Sequence, residues 1–405
     1  MSRNLVVILT VLSTLEAVFF GLAIKYFKIN RYLLLVIGVF TLLSYLFFSY
    51  EVLNYDRSVG STHSFFWAVG FLILHFVPKL ITIVFWLISA LLVLLPSNFI
   101  ATNDAVQGRK AFLGKLGLSI AAIPFTSILY GIWKGKYNFK VITQQLYFKD
   151  LPAAFEGLKV LQISDLHSGS FDNPDKIKYA VDLINEQDFD LCLFTGDIVN
   201  TKAEEFLPWV ETFKGIKKTI YGKYSVLGNH DYGEYMDWSS EEAKQANFEN
   251  IKGLHEQIDF KLLCNEHVLL SKDNESIALV GVENWGQKFK KAGDLNKASQ
   301  GLTDQQFKIL MSHDPSHWEY EVKEHSKNYQ LTLSGHTHGF QFGIEIPGFL
   351  KWSPVQYVYK QWAGLYEHMD RYVYVNRGFG FHAFPGRVGI WPEITVLELK
   401  TKKAS

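Results

Sequence analysis

Cysteine is nearly absent. Cys192 and Cys264 lie far apart in separate short apolar runs, so the chain has neither a disulfide framework nor a CxxC metal knuckle. An excess of charge is missing as well: 40 lysines and arginines balance 40 aspartates and glutamates. That excludes the global basic field that gathers nucleic acid nonspecifically, and no nucleic-acid partner is expected. The first apolar run has no small-residue cleavage site behind it, so it reads as a retained span and not as a removed signal peptide. What the chain has in abundance is apolar side chains, 48% hydrophobic and 15% aromatic over 405 residues, high for a wholly soluble protein.

The excess sits in residues 1–135, which read as a multi-pass membrane region, while residues 136–405 read as a separate α/β domain. A bilayer core about 30 Å thick needs roughly 20 apolar helical residues. Four stretches qualify: Leu5 to Phe27, Tyr32 to Tyr50, Phe66 to Leu95 with a possible kink at Pro78, and Phe112 to Trp133. The cell membrane is the expected location. Its sidedness is undetermined, because Lys25, Lys28, Arg31, Arg109, Lys110 and Lys115 are balanced by Lys134, Lys136 and Lys140 under the positive-inside rule. Glu16, His75 and Lys79 fall within spans. An interhelical polar contact is the favoured reading, a proton or ion path the lesser one.

From Tyr137 onward short strand-like runs alternate with helical stretches such as Pro174 to Gln187 and Ser240 to Ile251, which implies a layered α/β domain with part of its sheet parallel. Ligands in such sheets collect beyond the carboxyl ends of the strands. Five runs end there in candidate ligands: Asp165-Leu166-His167, Gly196-Asp197, Gly228-Asn229-His230-Asp231, His313, and Gly335-His336-Thr337-His338. Imidazole, carboxylate and amide oxygen without thiolate suit Mn²⁺, Fe²⁺ or Zn²⁺. The histidines are too many for one ion, whereas two bridged ions would use them and would clamp a phosphoryl group.

This ordered string resembles that of the calcineurin-like metallophosphoesterases, and the tail from Tyr374 to Glu393 resembles the membrane-anchored branch of that family. The resemblance implies a four-layer α-β-β-α sandwich and a metal-dependent phosphoric ester hydrolase with two divalent ions. It assigns Asp165, His167 and His338 to one metal, Asn229, His313 and His336 to the other, and Asp197 to the bridge. His230 would act as the acid toward the leaving oxygen, with Asp231 fixing its tautomer.

Asn200 is expected either to support a ligand or to be a plain turn residue. Arg377 and Arg387 either grip phosphate or tie the tail to the sheet, the second being favoured. His255, His267, His317 and His325 are expected to be solvated or capping. The aromatic and lysine-bearing stretch from Phe340 to Trp362 suits either a membrane interface or a loop packed over the sheet. Together these readings point to hydrolysis of a phosphoester or pyrophosphate bond in a lipid-linked substrate, with membrane lipids as the other partner and no protein partner inferred. The alternative is a membrane sensor or scaffold that binds phosphate without turnover.

Overall fold

A computed structural model describes residues 3–24, 29–92, 103–346 and 348–402. It divides into two compact units, Met1–Asp56 with Ser61–Trp133, and Arg57–Gly60 with Lys134–Ser405.

The first unit is helical: α1 (Arg3–Leu22), α2 (Arg31–Leu53), α3 (His63–Leu92) and α4 (Asn103–Trp133). A helix satisfies every backbone polar group within itself, which is what an apolar run needs where water is absent. Among the described residues three helical stretches are long and apolar enough to cross a bilayer: Arg31–Leu53, His63–Ile88 and Phe112–Trp133. α1 contributes a shorter apolar stretch, Thr10–Leu22. Residues 25–27 of the first expected span and 93–95 of the third lie outside the described residues. Pro78 is carried within α3. The expected polar contact is present. Lys79 Nζ lies 2.8 Å from Glu16 Oε2, 2.6 Å from Thr41 Oγ1 and 3.3 Å from His75 Nδ1, so one buried ammonium ties α1 and α2 to α3.

The second unit runs β1 (Lys140–Phe148), β2 (Lys159–Ile163), α5 (Pro174–Asn185), β3 (Leu191–Phe194), α6 (Val210–Lys214), β4 (Lys223–Ser225), α7 (Glu241–Gln257), β5 (Lys261–Leu262), β6 (Glu266–Lys272) and β7 (Glu275–Gly281). It continues with α8 (Leu295–Ala298), β8 (Lys308–Met311), α9 (Ser316–Tyr320), β9 (Leu331–Ser334), β10 (Ile344–Ile346), β11 (Leu350–Trp352), β12 (Gly364–His368), β13 (Arg371–Val375) and β14 (Glu393–Thr401). Two six-stranded sheets result, ordered β1-β14-β2-β3-β4-β5 and β12-β13-β9-β8-β7-β6.

Side-chain alternation builds four layers. Leu191 and Leu193 of β3 face Ile309 and Met311 of β8 in the core between the sheets. Cys192 and Phe194 turn the other way, against Ile177 and Ile184 of α5 and Leu254 of α7. Leu310 of β8 likewise turns outward, onto Ala298 of α8 and Trp318 of α9. Apart from Lys308 at the start of β8, these strands are apolar at every position because both faces are covered. Strands β2 to β5 are mutually parallel, as are β7, β8, β9 and β13. Each sheet therefore presents a row of strand carboxyl ends, and the polar strings lie there.

Candidate metal centre

Asp165 and His167 follow β2, Asp197 follows β3, and Asn229 and His230 follow β4. From the second sheet, His313 follows β8, and His336 and His338 follow β9. Several of these residues hold left-handed backbone: Asp165 (φ 54°), His167 (47°), Asp197 (59°), His336 (70°) and His338 (48°). Such conformations cost roughly 1–2 kcal/mol each outside glycine, and here they turn functional side chains out of the strand ends. Glycine supplies the tightest approaches: a Cβ on Gly335 would lie 1.9 Å from Ser164 Oγ and 2.2 Å from Asp165 Oδ2.

The two rows converge. Ligand atoms of Asp165, His167 and His338 lie within 4.8 Å of one another, as do those of His167, Asp197 and His230, and those of Asp197, His313 and His336. Asp197 Oδ2 is 3.5 Å from His167 Nε2 and 3.1 Å from His313 Nε2, and Asp165 Oδ1 is 3.2 Å from His338 Nε2. The backbone fixes the carboxylates: His336 N donates to both oxygens of Asp165, at 2.9 and 3.0 Å, and His230 N donates to Asp197 Oδ1 at 2.8 Å.

Imidazole orientation is fixed from behind. His313 Nδ1 lies 2.7 Å from the Thr195 carbonyl, His230 Nδ1 2.7 Å from the Asn200 carbonyl, and His167 Nδ1 3.1 Å from Asn200 Oδ1. Each acceptor holds a proton on Nδ1 and leaves Nε2 as the nitrogen turned toward the shared edge. The residues fit a metal in one further respect. Asn229 Oδ1 is buried without a hydrogen-bond partner among the described residues, and the buried Nε2 atoms of His313 and His338 face the carboxylates of Asp197 and Asp165, a costly concentration of buried polar atoms unless a cation lies among them.

The electrostatics agree. Burial opposes charge on His313, but Asp197 and then Asp165 drive it up to about 10. Burial likewise opposes ionisation of Asp197, and His313 and His230 overcome it and hold the carboxyl well below its usual range. His167 is pushed well down, by burial and then by the neighbouring imidazoles. The cavity thus carries two anionic carboxylates that draw positive charge.

Comparison with known proteins shows the same two-part organisation. Residues 2–136 match the model "Probable Calcineurin-like phosphoesterase, transmembrane domain", and residues 158–340 match "Calcineurin-like phosphoesterase". The uncharacterized metallophosphoesterase YkuE of Bacillus subtilis is 30% identical over 253 residues, 62% of this chain and 82% of that protein. The chain belongs to the calcineurin-like metallophosphoesterases. A "Transmembrane protein with metallophosphoesterase domain" of Danio rerio is 26% identical over 298 residues, 71% of this chain and 64% of that protein. The uncharacterized metallophosphoesterase YkoQ of B. subtilis is 27% identical over 281 residues, 69% of this chain and 97% of that protein. The chain is a membrane protein of this family, with residue clusters suited to metal.

Within this metallophosphoesterase, all seven expected metal ligands lie at the shared edge, with His230 beside them. Asp231 departs from expectation. Its carboxylate does not reach the His230 ring: it accepts backbone N–H groups of Asp197 (3.0 Å), Ile198 (3.0 Å) and Gly228 (2.8 Å). The three donors converge on the buried carboxylate from two loops, so it pins the β3 and β4 loops together, and the Asn200 carbonyl orients His230 instead. Burial, and then Asp197, raises the Asp231 carboxyl to about 7.

Asn200 is a supporting residue and not a plain turn: its side chain serves His167, His382 and Ser170. Arg377 pairs with Glu345 and Glu393, and Arg387 is wholly buried, donating to the carbonyls of Arg377, Gly378 and Gly380. Both tie the tail, as favoured. His255 and His317 are fully buried rather than solvated: His255 stacks on Phe194, and His317 stacks on Trp285 and contacts Ser312 Oγ at 2.8 Å.

Four further side chains contribute, two of them, Tyr359 and His382, from stretches that stand out in the sequence without marking these residues. His382 stacks on His167 at 4.8 Å, Tyr235 stacks on His230 at 4.3 Å, Tyr359 places its hydroxyl 2.8 Å from His336 Nε2, and Asp314 Oδ2 lies 3.5 Å from the same nitrogen. All arrive from loops, where no fixed spacing marks them.

Proposed function

We propose that this chain is a multi-pass enzyme of the cell membrane that uses two divalent cations, Mn²⁺, Fe²⁺ or Zn²⁺, to hydrolyse a phosphoester or pyrophosphate bond in a lipid-linked substrate. The observation that carries the reading is the position of Asp197, shared by two ligand clusters, with His313 Nε2 3.1 Å from its carboxylate and Asn229 Oδ1 buried without a partner among the described residues. Asp165, His167 and His338 would hold one cation, Asn229, His313 and His336 the other, with Asp197 between them. Cations there would supply Lewis-acid charge to the attacking, leaving and phosphoryl oxygens.

The chain's own groups account for proton handling. His230 is held by its Nδ1 on the Asn200 carbonyl, so Nε2 is the nitrogen that faces the reaction and that, in the imidazolium form, would give a proton to a leaving oxygen. Tyr235 stacks on that ring and receives a hydrogen bond from Asn229 Nδ2 at 2.6 Å, which orients the amide so that Oδ1 is the free atom. The membrane half supports a substrate presented by the bilayer, since a soluble ester would not require such an anchor.

The test is hydrolysis by the detergent-solubilised full chain, loaded in turn with each metal, against phospholipid, lipid-sugar and nucleotide phosphates and bis-p-nitrophenyl phosphate. Turnover is expected with bound metal and a lipid phosphate, and Asp197→Asn should abolish it. Metal binding without turnover of any ester would replace this reading with the scaffold. Turnover confined to soluble esters would remove the lipid-linked substrate alone.

A further inference from the structure

The β10–β11 ribbon follows the last site histidine by a few residues and has an inverted polarity. Its register pairs Ile344 with Trp352, Glu345 with Lys351 and Ile346 with Leu350. Opposed residues of an antiparallel pair share a face, so Ile344, Ile346, Leu350 and Trp352 line one side, and Glu345 and Lys351 the other. The charged side is engaged by the domain. Glu345 binds the Arg377 guanidinium, and Lys351 donates to the Ala363 carbonyl with its ammonium 4.9 Å from the Trp362 ring centroid. The apolar side is left open: Ile344, Ile346 and Leu350 are exposed, and Phe349 beside the turn is 82% exposed. A ribbon facing water carries the opposite pattern.

We infer that this ribbon, with the exposed Tyr357 and Val358 that follow it, docks onto the surface of a lipid bilayer. The chain itself says which surface is at hand. Helix α4 ends at Trp133 and β1 begins at Lys140, a connection that spans at most about 25 Å when fully extended. The domain is thereby kept at high effective concentration beside a membrane. The exposed side chains are aliphatic and aromatic with the exposed Lys360 close in sequence, the mixture found at headgroup depth. The segment also reaches the metal centre. Tyr359, next after Val358, places its hydroxyl 2.8 Å from His336 Nε2, so one stretch of chain bears both the apolar surface and a contact to a candidate ligand. The inference rests on the membrane reading of the first unit and not on the hydrolytic reading of the site.

The test uses the full chain carrying Cys264→Ser and Phe349→Cys, labelled with bimane, in phosphatidylcholine and phosphatidylglycerol nanodiscs. Emission should be quenched by lipids bearing doxyl near the headgroup end of the acyl chain, and protected from aqueous iodide. Adding Ile344→Asp and Ile346→Asp should reverse that preference while bis-p-nitrophenyl phosphate hydrolysis stays unchanged. Quenching by iodide without quenching by doxyl lipid would overturn the inference. So would protection that depends on protein concentration, which would assign the face to a second copy. Doxyl quenching in a protein that hydrolyses nothing would support the docking surface and remove the proposed reaction.

Discussion

Replacing Asp231 with alanine separates two jobs assigned to one carboxylate: orienting His230, or holding two loops together. The side chain is wholly buried and accepts from three backbone N–H groups, those of Asp197, Ile198 and Gly228, at 2.8 to 3.0 Å. Without it three buried donors lose their acceptor, each at about 1–3 kcal/mol. Allowing for relaxation and incomplete additivity, the loss is on the order of 3–6 kcal/mol. For a domain of this size 1 kcal/mol shifts the melting temperature by roughly 2–4 °C, so a fall of about 10–20 °C is expected. Asp197 and Asn229 stand on the pinned loops, and metal affinity should fall about 10–100-fold, as when a supporting contact is lost. Asp231→Asn keeps one oxygen and should fall between. The assay is differential scanning fluorimetry of the full chain in detergent, with metal content measured on the same sample. Melting and metal content unchanged from wild type, with only the pH profile of kcat altered, would refute the loop-pinning account and return Asp231 to His230.

His230→Ala should lower kcat by about 10²–10⁴-fold on an alkyl phosphoester and far less on a p-nitrophenyl ester, whose leaving oxygen needs no proton; equal losses on both would remove the acid role. Burial drives the His255 imidazole down to about 3, so it stays neutral in the folded chain while the unfolded chain binds a proton below about 6.5. Its contribution is therefore complete above pH 6.5 and is lost as pH falls toward 3, at up to about 1.4 kcal/mol per unit. His255→Leu should flatten that acid limb in melts from pH 7 to pH 5, and parallel curves would contradict it. Gly335→Ala, whose Cβ would press on Asp165 Oδ2, should lower metal content with secondary structure intact by circular dichroism. Removal of metal with EDTA should abolish turnover, and readdition of one divalent ion should restore it.

The buried sheets were legible because strands covered on both faces are largely apolar, as in Leu191–Phe194, with Lys308 opening β8 and Lys159 and Gln162 in β2 the polar exceptions. The edge strands β6 and β12 were not read, since Glu266–Lys272 and Gly364–His368 bury few side chains and mix charge with apolar residues. The Phe340 to Trp362 stretch stood out as suited to a membrane interface or to packing over the sheet, but the β10–β11 pairing within it was not legible for the same reason. The candidate ligands were legible because each ends such a strand. What surrounds them was not, because it is made of backbone: the Thr195 and Asn200 carbonyls that orient imidazoles, and the amides held by Asp231, leave no trace in residue identity. Fully buried His255 and His317 were misread because their cover, Phe194 and Trp285, comes from distant parts of the chain.

The candidate ligands divide by sheet. Asp165, His167, Asp197 and Asn229 come from the first, and His313, His336 and His338 from the second, with Thr195 of the first orienting His313 of the second. Synthesis proceeds from the N-terminus, so a nascent chain carries a complete first set of ligands more than a hundred residues before the last histidine exists. Neither set alone makes the centre. Full metal occupancy in a preparation is thus a certificate of finished tertiary assembly: truncated or half-docked chains would fail to hold it, however much secondary structure they show.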